Sequence, residues 1–311
     1  MENQIVTSHD ARMSETAKKE SPYILPAAII VAAVMISGAW LYKTQNPTIA
    51  NQSDTEDTVN ALVDKVLPVA GVELPVSWGD LGTQMVRAGV IDGERFMALY
   101  RERGAFTEEL KSMLFESNNG TVTITRENAD YLLNLFWALG LASKNTILDT
   151  GEMMTATNGN AGGMASTGGW TMAVGDVMDH YSAHVFFDLT PEQQSLVDKV
   201  SRGIYRPCCG NSTHFPDCNH GMAMLGLLEL MASQGIGEEE MYKAALAVNS
   251  YWFPDTYITI ATYMKNKGIA WSDVSPSEVL GAQYSSGSGF EKIKSQVTQP
   301  QQQQGGGGCS V

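Results

Sequence analysis

The stretch "LVDKVSRGIYRPCCGNSTHFPDCNHGMAMLGLLELMASQGIGEEEMYKAALAVNSYW", residues 196–252, decides the fold. Upstream, Thr190 is placed to cap a helix, with Pro191 at its first position and Gln193 three residues after the cap. Leu196, Val200 and Ile204 share one face of that helix, and Pro207 marks its end. A loop follows. Asp217 or Asn219 then caps a second helix beginning near His220. Glu229 is that helix's single charged residue, so it should be buried on most sides, and Gly235 stops it. Glu238, Glu239 and Glu240 open a third helix at the positive end of its dipole, and Asp255 opens a fourth that closes at Lys265, Lys267 and Gly268. The unit is helix–loop–helix–helix around a Cys/His loop.

The rest of the chain extends this mainly α reading. Between Trp78 and Ser117, breaks at Gly89, Asp92-Gly93 and Gly104 separate three short helices. Thr121–Ile124 alternates as a strand, and Leu132, Leu135, Phe136 and Leu139 recur at helix spacing. Residues 158–170 form a glycine-rich loop without phosphate-cradle spacing, read as a flexible connection between an N-terminal helical subdomain (58–157) and a C-terminal one (171–290). Residues 291–311 read as a low-complexity tail.

The N-terminus reads as a membrane anchor. Residues 23–42 carry no charge, long enough as a helix to span ~30 Å of hydrocarbon. Tyr23, Trp40 and Tyr42 sit at the ends, and Arg12, Lys18 and Lys19 precede the run. This asymmetry puts a lead of residues 1–22 in the cytoplasm and, after a linker (43–57), the bulk outside the cell membrane as a single-pass protein. A cleaved signal peptide is the competing reading, from the small residues Ser37–Ala39. The formal charge of -14 and the lack of any basic run exclude nucleic acid as a partner.

Four cysteines and five histidines serve the whole chain. Apart from His9 and Cys309, all fall within 179–221. Cys208, Cys209, Cys218 and His220 lie in or beside the loop, and His180 and His184, four apart, would share one helix face. Thiolate suits copper(I), and imidazole suits zinc, copper or iron, so these six residues form the candidate metal set. Nearby Met222 and Met224 tilt the choice toward copper over zinc, and the ligand types also suit iron, including haem iron. A helix N-terminus at Cys218 would favour its thiolate. Two other readings compete. Cys208, Cys209 and Cys218 could exchange disulfides with His220 or His214 as base, or the cysteines could simply brace a loop in a structural, partner-binding surface protein.

The same stretch resembles the CcmH family of cytochrome c maturation thiol proteins. Arg206, Cys208 and Asp217 stand near that family's Arg, first Cys and Asp, and "GIGEEEMYKAAL" stands near the start of its third helix. The resemblance implies a membrane-anchored three-helix fold with a thiol–disulfide oxidoreductase role. Here Pro207 intervenes, Cys208-Cys209 replaces the family's CxxC, and Cys218 with His220 are additional.

Overall fold

A computed structural model describes residues 59–105 and 107–297. The expected cytoplasmic lead, membrane anchor and linker lie outside the described residues, as does Cys309. Among the described residues, no helix is long and apolar enough to cross a membrane.

The body is mainly α. Helix α1 covers 59–66. Strand β1 (Val72–Gly79) pairs antiparallel with β2 (Asn119–Ile124), joining Val72 to Ile124 and Gly79 to Asn119 across a register shift between Glu73 and Ser77. Leu74, Val76 and Trp78 of β1 alternate into the core. Pro75 breaks the β signature in the sequence, yet a two-stranded sheet has only edges and tolerates it. Between the strands lie α2 (Leu81–Arg87), α3 (Gly93–Glu102) and α4 (Glu108–Phe115), interrupted where the glycines and Asp92-Gly93 predict. Asp92 and Thr107 cap α3 and α4 by accepting from the amides of Arg95 and Leu110.

Two helices form the centre: α5 (Ala129–Ala142) and, after α6 (Pro191–Gly203), α7 (Asn219–Ser233). Every α7 residue from Asn219 to Ala232 is buried. The two helices touch backbone to backbone, since a Cβ on Gly226 would lie 2.6 Å from the Gly140 amide nitrogen and from the Phe136 carbonyl oxygen. They run parallel: Gly140 faces Met222 and Gly226, and beyond α5 Asn145 bonds Glu229. Helix α8 (Glu238–Trp252), α9 (Pro254–Asn266) and α10 (Gly287–Lys294) complete the helix–loop–helix–helix unit and its flank. The full capping box predicted at Thr190 and Gln193 is present on α6.

Three expectations change. Residues from both proposed subdomains feed one hydrophobic core, and the described residues group as one compact unit. The glycine-rich segment is a packed strap: Asn160 caps a single turn at Ala161–Gly163, Ser166 and Thr167 are buried, and the Trp137 indole donates to the Ser166 carbonyl at 2.6 Å. The first part of the expected tail is helical, because Ile293 and Val297 continue an apolar stripe that packs inward.

Candidate metal centre

The loop between α6 and α7 is organised around a buried cation. Helix α6 stops at Gly203, before Pro207, where the Tyr242 ring leaves no room for a side chain. Tyr205 and Ser212 pair as a bridge, and the amides of Thr213 and His214 return to the carbonyls of Ile204 and Ser201. Inside this hairpin Arg206 is 1% exposed. Its Nη1 donates to the Asn211 carbonyl at 3.1 Å, and its Nη2 donates to the Phe215 carbonyl at 3.0 Å and to Asp217 Oδ1 at 2.5 Å. Its Nε donates to Cys218 Sγ at 3.0 Å. Asn211 donates to the other Asp217 oxygen at 2.7 Å. Gly221 makes the space, since a Cβ there would lie 2.5 Å from the guanidinium carbon. A charge this deeply buried is tolerable only when it is well compensated, and here each guanidinium nitrogen has a partner and a carboxylate stands beside it.

This fold of the loop collects the thiols. Cys218 occupies the N-cap of α7, the position expected for Asp217 or Asn219, and its side chain makes no cap bond. Its sulfur lies 3.6 Å from Cys208 Sγ, and the sulfurs of Cys208, Cys209 and Cys218 all fall within 4.8 Å of one another. All three are free thiols, Cys208 exposed and the others half-buried, so no disulfide braces the loop among the described residues. The Gly287 amide, at the start of α10, donates to the Cys209 carbonyl at 2.8 Å and fixes the loop from outside.

The electrostatics separate the three sulfurs. Hydrogen bonds from Cys208 and Cys209 hold Cys218 far below the usual thiol range against the opposing effect of burial, and His220 and Arg206 act in the same direction. Cys208 is pushed up, chiefly by hydrogen bonding to Cys209 and then to Cys218. Cys209 is raised as well: its bond with Cys208 lowers it, but the bond with Cys218 and burial outweigh that effect. These effects favour the thiolate form at Cys218, beside the guanidinium and at the positive end of a helix.

The six predicted ligands do not all meet. His220 packs its ring on Phe253 and Trp252 next to Cys218, is 8% exposed, and leaves Nδ1 without a partner. His180 and His184 do lie together, Nδ1 to Nε2 at 3.1 Å, but not on a helix. A single 3₁₀ turn, Val177–Asp179, ends at His180, Ser182 takes a φ of 50°, and His184 pairs with Ser143. Ser143 interacts with Glu229, eleven residues along α7 from Cys218, so the pair sits roughly 16 Å down the helix axis from the thiols. His180 Nε2 is taken by the Val174 carbonyl at 3.0 Å.

His214, the alternative base for thiol chemistry, is committed elsewhere. Its Nε2 lies 2.7 Å from Asp198 Oδ1 and 2.8 Å from Arg202 Nη2, and its Nδ1 lies 3.5 Å from Glu152, beside a cleft of about 530 Å³. Met222 and Met224 are core residues, 0% and 1% exposed, so their thioethers give copper no advantage. Sequence reasoning missed the part played by Arg206. An arginine in a loop ordinarily reads as solvated, and the available signal was a glycine, Gly221, in the first turn of a buried helix.

Three thiols could hold a metal ion here. Comparison with known protein families, with curated proteins and with solved structures returns no match.

Proposed function

We propose that this chain is a membrane-anchored extracytoplasmic protein that binds one copper or zinc ion through Cys208, Cys209 and Cys218, with His220 as a fourth ligand. The carrying observation is the convergence of three sulfurs within 4.8 Å of one another on a loop wired to a buried arginine. A zinc–sulfur bond of ~2.3 Å sets tetrahedral ligand sulfurs about 3.8 Å apart, near the 3.6 Å between Cys208 and Cys218. Copper(I) accepts the same three thiolates without a fourth ligand. His220 packs beside Cys218, and its unpartnered Nδ1 makes it the candidate fourth ligand, although no nitrogen of its ring joins the three sulfurs within 4.8 Å. Arg206 offsets part of the negative charge that three thiolates bring to one ion. The uncharged run at 23–42 supports the anchor, and the lysine and arginine bias before it supports the orientation.

The test is elemental analysis of the reduced full chain after removal of loosely bound ions. About one copper or zinc per chain is expected, with loss of the ion in Cys218→Ser, weakened retention in His220→Ala, and full retention in His180→Ala. A reduced wild-type chain that keeps no ion, or a Cys218→Ser chain that keeps it fully, overturns the reading.

A further inference from the structure

The spacing and burial of the three sulfurs differ in a way that metal binding alone does not require. Cys208 and Cys218 stand 3.6 Å apart, and Cys208 is the exposed member. The Cys209 thiol bonds both of them and also reaches the Asn211 carbonyl, at 3.9 Å. A bond between the neighbours Cys208 and Cys209 would need strained geometry. We propose that Cys208 and Cys218 close reversibly into a disulfide, by exchange with a small soluble disulfide, and that this closure expels the metal ion. The expulsion rests on the metal reading above, whereas the exchange step does not.

The chemistry balances as two displacements. The exposed Cys208 thiol gives its proton to water, and its thiolate attacks one sulfur of oxidised glutathione, forming a mixed disulfide and releasing one glutathione thiolate. Cys218 then gives its proton to that thiolate or to water and attacks Cys208 Sγ, which lies 3.6 Å away in the open form. The Cys208–Cys218 bond forms, the mixed disulfide breaks, and a second glutathione thiolate leaves. Two cysteines lose two electrons in total, and one glutathione disulfide gains them. Cys209 and His220 remain, too few ligands for a soft ion.

Arg206 gives the closure a direction. Its Nε donates to Cys218 Sγ at 3.0 Å in the open form, and a disulfide sulfur accepts more weakly than a reduced one. The reduced form is stabilised by that contact, so the disulfide should be easily reduced, as for other disulfides whose reduced form is stabilised. Loss of the contact should make the closed form harder to reopen.

The test uses the full chain carrying Cys309→Ser, reduced and loaded with zinc, then titrated with oxidised glutathione. Released zinc is read with a chelating dye, and disulfides are mapped by mass spectrometry. One ion released per Cys208–Cys218 disulfide is expected, with rebinding after dithiothreitol. Cys209→Ser should still form the same disulfide, and Arg206→Lys should shift the glutathione ratio at half-closure toward the reduced side. A disulfide that instead joins Cys209 to either partner, or zinc release with no Cys208–Cys218 bond, overturns the proposal and leaves the metal reading standing. A chain that forms the disulfide but never takes up zinc or copper overturns the metal reading, and the expulsion with it, while the exchange step stands.

Discussion

Glu229 sits in the middle of the most buried helix with Asn145 to bond it, and its Oε2 has no partner. Burial pushes its carboxyl well above the ordinary value of 4.5, so the native chain keeps a proton that the unfolded chain releases. Its contribution to stability is full below that ordinary value and is lost as pH rises toward the native one, at up to ~1.4 kcal/mol per pH unit. Glu229→Gln should remove this loss. Urea unfolding at pH 5 and pH 8 should give a variant whose stability advantage over the wild type grows with pH; an advantage independent of pH would refute the assignment. The residue scale also separates what the sequence could tell from what it could not. Cysteines are scarce enough that their clustering was visible, and three of the six proposed ligands come together. The histidine pair was misplaced because four-residue spacing implies a shared site only on a helix, and the positive φ at Ser182 precludes one.

At the scale of elements, the α5–α7 crossing holds the molecule together, and two glycines set its closeness. Gly226→Ala would drive a methyl to 2.6 Å from the backbone of α5, where no side chain can rotate away. A loss of about 1–3 kcal/mol is expected, measured by chemical denaturation; a loss below a few tenths would mean the helices can separate freely. Helices with explicit end signals were legible: Thr190, Pro191 and Gln193 for α6, Asp92 for α3, Gly235 after α7. Strand β1 was not, because Pro75 and the register shift hide its alternation, and its partner β2 lies some forty residues on. Local pattern cannot report a pairing that depends on a distant segment.

For the whole molecule, the glycine-rich strap misled the reading of domains. Glycine and serine composition resembles a free linker, but the Trp137 and Trp170 indoles bond it to the N-terminal half, the Ser166 amide donates to the Asp217 carbonyl in the C-terminal half, and both halves share one core. The same wiring reaches the loop that carries the thiols. Surface loops usually open by themselves, and their amides exchange with solvent quickly. Here, detaching residues 207–217 would strip Arg206 of the Asn211 and Phe215 carbonyls and leave its guanidinium uncompensated inside the fold. The loop should therefore belong to the same cooperative unit as α7. In native-state hydrogen exchange, the Thr213 and His214 amides should be as slow as those of α7, and Arg206→Lys should release them to the fast class. A segment that looks like a flexible cover would then be among the last parts of the protein to let water in.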